Sequence, residues 1–241
     1  MNKLLNEKFL SLVRNLSTKK DKKDIKILDW GCGNGNLVKF LNDHGYDCYG
    51  LEIVSNKKIK SQLDSNNDKN LIDKIFFISD DNITKFQSNY FDIVITNQVI
   101  EHMSNKNGFI EELKRILRIG GFSYNILPAK FRFIEVHLKM PFVHWFPKNV
   151  YRKYMILFFN LFKFNHWAEC KNLSFYQQVE YYYEYSTKKT FYSSANSLFN
   201  NFRMKGFYVN DCYLKNKILN NIFIQFIKKN FISIEFLAIK K

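Results

Sequence analysis

The chain has 241 residues, of which 46% are hydrophobic and 17% aromatic, a composition that excludes a disordered chain and allows one sizeable core. Thirty-seven lysines and arginines against 22 acidic residues give a net charge of +15, which suits anionic partners such as nucleic acid, phosphorylated sugars or anionic membrane surfaces. Lysine, asparagine, isoleucine and phenylalanine are all abundant, however, so a compositional bias of the source genome is the simpler explanation of this charge.

The cysteines and the start of the chain indicate a cytoplasmic protein. The four cysteines, Cys32, Cys48, Cys170 and Cys212, have no CxxC spacing and form no zinc-like series with the five histidines. We therefore expect reduced thiols and no metal site. The N-terminal stretch lacks the apolar run of a signal peptide and predicts an amphipathic helix. No run of about 18 apolar residues predicts a membrane-spanning helix.

Strands and helices alternate from Ile25 onward. The predicted strands are IKILDW, YDCYGLEI, KIFFIS, FDIVITNQVI and FSYNIL. The predicted helices are NLVKFLNDHG, SNKKIKSQLDS and NGFIEELKRILRIGG, the last closed by Gly120 and Gly121. Repeated βα units with nearly continuous apolar strands predict a parallel sheet covered on both faces. Right-handed crossovers make such a sheet doubly wound.

The alternation breaks between Pro128 and about Thr190, a stretch that holds all three prolines. About 60 residues are too many for a plain connection, so we expect a lid at residues 128–190, inserted in a single domain of residues 1–241. Within it, VYRKYMILFFNLF predicts a helix whose apolar face carries Tyr154, Leu157, Phe158, Leu161 and Phe162.

Regular structure resumes after the lid. The stretch TFYSSANSLFNNFRMKG predicts a helix, and FYVNDCYL and FISIEFLAI predict two further strands. With these the fold class is α/β, a doubly wound, mostly parallel, seven-stranded Rossmann-like sheet with a helical or irregular lid after strand five.

A glycine-rich turn follows the first strand. Gly31, Gly33 and Gly35 form a GxGxG pattern, whose free backbone N–H groups at a helix N-terminus suit an anionic group of a ligand. Dinucleotides and S-adenosylmethionine (SAM) both use this arrangement, and dinucleotide sites add an acid about 20 residues on. Glu52 lies at a suitable distance, so the turn and Glu52 alone leave both ligands open.

The position of Asp29 distinguishes between SAM and a dinucleotide as the ligand. A carboxylate directly before the turn would repel a pyrophosphate, whereas SAM brings an ammonium and a sulfonium with only one carboxylate. The position of Asp29 therefore favours SAM over a dinucleotide.

The stretch ILDWGCGNG resembles motif I of the class I SAM-dependent methyltransferases, which is an apolar strand, an acid, one residue and then GCGxG. The resemblance continues in order through Glu52, SDD at residues 79–81, FDIVITNQVIEHM and LKRILRIGG, and covers about Ile25 to Leu127. It implies SAM as cofactor, methyl transfer to a small molecule, and these cofactor-binding residues: Asp29, Gly31, Cys32, Gly33, Gly35, Glu52, Ile53, Asp80, Asp81, Asn97 and Gln98.

The resemblance also implies individual roles. Glu52 is expected to bind the ribose hydroxyls, and one of Asp80 and Asp81 the adenine amine, with Asp80 favoured. Gln98 is expected near the methionine portion of SAM. His102 in IEHM suggests a catalytic base, but in the family this position is usually structural.

Three acceptor classes are argued against by the residues present. Methylation of a nucleobase amine uses an Asn/Asp-Pro-Pro-aromatic motif, where this chain has NQVI. Pyrimidine C5 methylation needs a cysteine after a proline, and Pro128 is followed by Ala129. Protein arginine methylation needs two glutamates on a loop, whereas Glu111 and Glu112 fall inside a predicted helix. A nucleic-acid partner is therefore not expected.

The acceptor site is expected in PAKFRFIEVHLKMPFVHWFPK, after strand five. This stretch resembles one in bacterial methyltransferases of surface-polysaccharide and natural-product pathways. His137 or His144 is expected to act as general base, because a neutral histidine can take a hydroxyl proton near pH 7. Glu135, Trp145 and Arg132 are the candidate substrate-binding residues, and the basic residues Arg132, Lys139 and Arg152 could meet a phosphate.

Together these features predict a cytoplasmic SAM-dependent methyltransferase that methylates an oxygen of a sugar or glycoconjugate precursor. Methylation of an amine or amidine nitrogen, or of a lipid- or quinone-type acceptor, remains open. Two other functions also remain open: a non-catalytic SAM-binding protein that serves as a binding or assembly partner, and a dinucleotide oxidoreductase. Contact of the lid helix with a membrane surface is an alternative to its role as a cover. The sequence leaves the oligomeric state open.

Overall fold

The computed structural model describes residues 3–17, 20–53, 68–79, 83–164, 167–211 and 222–241. Its strands are β1 (Lys26–Trp30), β2 (Asp47–Ile53), β3 (Ile75–Ile78), β4 (Phe91–Asn97), β5 (Leu117–Pro128), β6 (Phe207–Asp211) and β7 (Ser233–Lys240). Its α-helices are α1 (Lys3–Leu16), α2 (Asn36–Asp43), α3 (Lys69–Ile72), α4 (Lys106–Ile116), α5 (Val150–Leu161), α6 (Phe175–Lys188), α7 (Ala195–Met204) and α8 (Ile222–Ile227). The predicted helix SNKKIKSQLDS, and the residues Asp80, Asp81 and Cys212, lie outside the described residues.

The seven strands form one sheet in the order β3-β2-β1-β4-β5-β7-β6. Strands β1 to β5 pair in parallel, and β7 runs antiparallel to β5 and β6. This confirms the predicted doubly wound, mostly parallel sheet. The strand order reverses between β1 and β4, and ligands of such sheets bind at that switch point, outside the carboxyl ends of the strands.

Helices cover both faces of the sheet. On one face, Phe9, Leu10 and Val13 of α1 are at most 1% exposed and pack with Ile27 and Ile93, which confirms the amphipathic N-terminal helix. On the other face, α4 and α7 bury apolar side chains against β1 and β4. Full burial of each such side chain stabilises the fold by about 1.5–3 kcal/mol.

The junction between α4 and β5 differs from the prediction. The helix was expected to continue to the glycine pair and the strand to start at Phe122, but α4 ends at Ile116 and β5 begins at Leu117. Leu117 is fully buried and pairs with Phe91, and the register shifts before Ile93. Cross-strand pairing thus overrides the helical pattern of LRIGG, and Gly120, at φ +73°, lies inside a bulged strand.

The lid helix α5 forms in the predicted stretch, and the apolar face named from its spacing is mostly exposed. Tyr154, Phe158 and Leu161 are 63%, 49% and 60% exposed, whereas Ile156 and Phe159 are buried against α6. The stretch is apolar on more than one face, so helical spacing alone could not identify the buried one.

Arg152 explains the orientation of α5. It is 5% exposed, and its guanidinium donates to the carbonyl oxygens of Phe146 at 3.0 Å and Ser186 at 2.8 Å. A buried cation is stable only when its donors are satisfied, so these bonds hold the helix with this face inward. No helix among the described residues is long and apolar enough to cross a bilayer.

Candidate active site

The glycine turn after β1 is held against the end of β2. The N–H groups of Gly31 and Cys32 both donate to the carbonyl of Leu51, at 2.7 and 3.1 Å. All three glycines of the turn have positive φ, from +54° to +83°, a region that favours glycine. A Cβ added at Gly33 would meet nothing within 4 Å, so this part of the turn is open to an approaching ligand.

Gly31 allows a test of the turn by stability. A Cβ there would lie 2.3 Å from Cγ2 of Val99, and φ is +83°. We expect Gly31→Ala to lower the free energy of unfolding by about 2–5 kcal/mol, from left-handed strain and overpacking. Gly33→Ala, the control, should cost only about 1–2 kcal/mol, since it adds strain without a clash. Thermal or urea unfolding measures both, and equal losses would contradict the account.

Two buried acids flank the turn. Asp29 is 4% and Glu52 9% exposed. Glu52 accepts hydrogen bonds from the N–H groups of Gly33 at 2.8 Å and Ile53 at 3.1 Å. Burial, with a contribution from the nearby charge of Glu52, raises the pKa of Asp29 to about 7. The pair therefore creates a negative potential that favours a cationic ligand.

A cleft of about 680 Å³ opens beside the turn. One wall follows the carboxyl ends of β1, β2 and β4 and consists of Trp30, Gly31, Leu51, Glu52, Ile53, Gln98 and Val99. The other wall consists of His102, Met103, Ser104, Tyr181, Tyr185, Lys188, Lys189 and Phe191. The cleft therefore lies at the switch point of the sheet, and its volume falls in the range of small-molecule sites.

Gln98 bends the chain into this cleft. Its φ of +58° is left-handed, and its N–H donates to the carbonyl of Ile126 at 2.9 Å. Such backbone strain in a non-glycine residue persists where the surrounding structure enforces it, often at functional sites. Asn97, the preceding residue, ends β4 and does not line the cleft. Cys32 does not line the cleft either. Its buried thiol packs against Gly50, where an added Cβ would lie 2.7 Å from the sulfur.

His102 presents one ring nitrogen as an acceptor. Its Nδ1 lies 2.6 Å from the carbonyl oxygen of Lys189, and a carbonyl can only accept, so Nδ1 carries the proton and Nε2 keeps its lone pair. Burial lowers the pKa of His102 below its ordinary value. The neutral ring is therefore able to accept a proton at Nε2.

His137 lies directly behind His102. The two ring centroids are 4.8 Å apart, and the ring of Tyr185 is 5.6 Å from His137. Burial lowers the pKa of His137 to about 4, and its Nε2 has no hydrogen-bond partner among the described residues. His137, a predicted base, does not line the cleft itself. It packs on His102, which does line the cleft.

Glu101 completes this cluster. It is fully buried, neither carboxylate oxygen has a hydrogen-bond partner among the described residues, and burial raises its pKa to about 8. One ligand atom each from Glu101, His102 and His137 lie within 4.8 Å of one another. The cluster can share a proton. It could hold a divalent cation only if the atoms closed to the spacing of about 3.4 Å that tetrahedral zinc ligands require.

Glu135 and His144, like His137, are not among the residues that line the cleft. Glu135 is 2% exposed and accepts from the amides of His137 and Leu138 and from the hydroxyl of Tyr192. His144 is 6% exposed, and its ring lies 5.0 Å from that of Tyr192. These contacts organise the segment after β5.

Arg132 and Trp145 also lie away from the cleft. Nε1 of Trp145 donates to the carbonyl of Arg132 at 3.0 Å, and Nη1 of Arg132 donates to the carbonyl of Ile232 at 3.4 Å. The cleft wall from α6 and the residues after it, including Tyr181, Tyr185 and Lys189, was not predicted. The spacing of the two tyrosines on one helix face was the available signal.

Comparison with known proteins agrees with this geometry. Residues 28–124 match a family model described as a methyltransferase domain. The chain is 29% identical over 100 residues to a sarcosine/dimethylglycine N-methyltransferase of Aphanothece halophytica, covering 40% of this chain and 35% of that one. It is 32% identical over 103 residues to the tocopherol O-methyltransferase of Arabidopsis thaliana, covering 42% and 29%. The chain thus spans about a third of the length of these curated relatives.

The fold extends the similarity to nearly the whole chain. A phosphoethanolamine N-methyltransferase of Haemonchus contortus, solved in complex with SAM, superposes with a TM-score of 0.57 at 12% identity, covering 97% of this chain and 52% of that one. Residues 28–124 therefore match a methyltransferase domain, and the chain has the fold of that SAM-bound methyltransferase.

Proposed function

We propose that this chain, an enzyme with a class I SAM-dependent methyltransferase domain, methylates a hydroxyl oxygen of a small-molecule acceptor, most specifically a sugar or glycoconjugate precursor. The observation that carries the proposal is the continuous cleft that joins the glycine turn and Glu52 to His102, whose Nε2 keeps its lone pair. One end suits the methyl donor, and the other offers a neutral base for the acceptor proton.

The donor end fits SAM by its own chemistry. The space above Gly33 is open, Glu52 lies at the end of β2 where it can accept from ribose hydroxyls, and Asp29 and Glu52 favour a positive charge. When bound, SAM supplies a methyl group already activated by a positively charged sulfur. The chain's own residues therefore have to orient the acceptor, exclude water and remove a proton.

At the acceptor end, we propose that His102 takes the hydroxyl proton at Nε2. The Lys189 carbonyl fixes its tautomer, and a protonated His102 is stabilised by the nearby carboxyl group of Glu135. His137, for which the sequence predicts the base role, packs on the same ring and positions it. His144 is the third candidate; it does not line the cleft, and its ring packs on that of Tyr192.

The proposed acceptor class rests on the cleft wall formed by α6 and the residues after it, which the sequence did not predict. The rings of Tyr181, Tyr185 and Phe191 offer apolar faces on which a sugar can stack. Lys189 lies at the same wall, where it suits a phosphate, whereas Lys188 is paired with Glu184 at 2.5 Å. Arg152, a predicted phosphate contact, is instead occupied by backbone carbonyls. Lys189 at the cleft therefore takes the place that the sequence analysis assigned to Arg132, Lys139 and Arg152.

The proposal is tested by methyl transfer from isotope-labelled SAM to a panel of acceptors, with the product atom assigned by NMR. We expect labelled O-methyl groups on a phosphorylated or nucleotide-linked sugar. A second candidate is a quinol or phenol, because the aromatic wall also suits an aromatic ring and curated relatives include tocopherol and ubiquinone-biosynthesis O-methyltransferases. Label only on nitrogen would contradict the proposal.

The raised pKa of Asp29 predicts how SAM binding depends on pH. In the free protein this carboxyl is about half protonated near pH 7. The positive charge of SAM favours its ionised form and lowers its pKa, so binding should release a proton. Affinity should therefore rise with pH through about pH 7 and level off above it.

Calorimetry in two buffers of different ionisation enthalpy measures this proton release directly. Asp29→Asn should abolish the buffer dependence near pH 7. A wild-type enthalpy that is the same in both buffers would contradict the assignment of this proton to SAM binding.

A further inference from the structure

An exposed group of aromatic rings lies on the lid side of β5, away from the cleft lining. We call it the aromatic patch, and it consists of Phe131, Phe133, Phe142, Trp145, Phe226 and Phe231. Phe133 lies at its centre, with its ring 5.5 Å from Phe231 and 5.9 Å from Trp145. Phe133 and Phe226 are 55% and 56% exposed. The rings therefore form one contiguous surface.

The proposed reaction does not account for this surface. None of its residues lines the cleft. Half of the large apolar side chains that are exposed in the described chain fall between Phe131 and Phe164, including the outer face of α5. Contiguous exposed apolar surface of this kind marks an interaction site, because water-exposed aromatic area is costly.

The charge of this segment indicates the partner. Between Pro128 and Phe164 the chain has seven lysines and arginines but one acid, and that acid, Glu135, is 2% exposed. Of these seven, Arg152 is buried and Lys153 pairs with Glu180. Lys130 and Lys139 are exposed, and Nζ of Lys130 lies 5.5 Å from the ring centroid of Phe131. A second copy of the chain would bring this basic surface against itself, which repulsion disfavours. An anionic surface is the complementary partner.

Aromatic side chains with lysine and arginine around them are the composition of segments that lie in a membrane interface. Trp145 shows the expected arrangement, since its N–H is bonded to the Arg132 carbonyl while its ring is 40% exposed. We propose that the aromatic patch and its basic rim dock the enzyme on the surface of an anionic phospholipid bilayer. The proposal is independent of the acceptor.

Co-sedimentation of the full chain with vesicles tests this proposal. We expect binding to phosphatidylcholine vesicles that contain phosphatidylglycerol, and at least about tenfold weaker binding to phosphatidylcholine alone, since each basic residue near an anionic surface contributes to the attraction. Raising the salt concentration to about 0.5 M should release the protein by screening. Equal binding to both vesicles, or binding to neither, would overturn the proposal.

Two variants and their matched controls locate the surface. Phe133→Ser/Phe226→Ser and Lys130→Glu/Lys139→Glu should each weaken vesicle binding at least about tenfold. Ile119→Ser/Met204→Ser, which changes side chains 74% and 76% exposed elsewhere, and Lys23→Glu/Lys241→Glu, which reverses two exposed lysines outside the patch, should bind like the wild type. SAM affinity and the thermal midpoint, measured for every variant, establish that each is folded.

The outcomes distinguish a bilayer from a second copy of the chain as the partner of the aromatic patch. Loss of vesicle binding in the patch variants alone supports the bilayer. Wild-type vesicle binding by the patch variants overturns the proposal. A concentration-dependent dimer in sedimentation equilibrium, abolished by Phe133→Ser/Phe226→Ser, would assign the surface to a second copy and would also overturn it.

Discussion

Glu52→Ala is expected to lower the affinity for SAM at least about a hundredfold. Glu52 is 9% exposed, lies where β2 ends and already accepts the N–H of Gly33 at 2.8 Å. Hydrogen bonds to a charged group contribute about 1.5–3 kcal/mol each, so loss of two ribose contacts corresponds to this change. The variant also removes part of the charge that favours a cationic ligand.

Titration calorimetry of SAM measures the effect, with Asp47→Ala as the control. Asp47 lies at the other end of the same strand, where it forms an ion pair with Lys74 at 2.6 Å. Its removal should leave SAM affinity unchanged. SAM binding by Glu52→Ala with wild-type affinity would mean that the cofactor does not contact the end of β2.

His102→Ala is expected to lower kcat by about 10²–10⁴-fold, the range of a general base, with SAM affinity unchanged. The reason is that His102 lines the cleft, and its Nε2 keeps a lone pair because the Lys189 carbonyl holds the proton on Nδ1. His144→Ala is the matched control, because His144 is a buried histidine outside that lining, and its kcat should stay close to the wild-type value.

The pH profile distinguishes a base from a structural role. A base must be neutral to accept a proton, and burial lowers the pKa of His102 below its ordinary value. The wild-type kcat/KM should therefore fall only below about pH 6.5, and the residual activity of His102→Ala should lack this acid limb. His137→Ala should keep an acid limb, shifted upward, because loss of the ring that packs on His102 relieves the burial that lowers the pKa of His102.

Retained activity in His102→Ala, His137→Ala and His144→Ala would exclude a histidine base. That result would favour methylation of an amine, whose lone pair attacks without prior proton removal. The N-methyltransferases among the curated relatives keep this alternative open.

The donor half could be predicted because its signals are local. The apolar strands, the glycine spacing and the acids at 29 and 52 all lie within the stretch from Ile25 to Ile53, and the structure places both acids beside the turn. Each element there follows from its own sequence, since a buried parallel strand is apolar throughout.

The acceptor half depends on contacts between distant parts of the chain. The bond that fixes His102 comes from Lys189, 87 residues later, and no local pattern reports it. The buried face of α5 follows from carbonyls of Phe146 and Ser186 that satisfy Arg152. The early start of β5 follows from the pairing of Leu117 with Phe91. In each case tertiary contacts outweighed the local pattern.

Titration of the wild-type protein with SAM and, separately, with NAD tests the central claim most directly. The claim is that Asp29, the glycine turn and Glu52 form a site for a cationic methyl donor. SAM should bind with micromolar affinity and release a proton near pH 7, and NAD should give no binding heat, because its pyrophosphate would face the carboxyl group of Asp29 directly before the turn. Binding of NAD, or no binding of SAM at physiological concentration, would contradict the account.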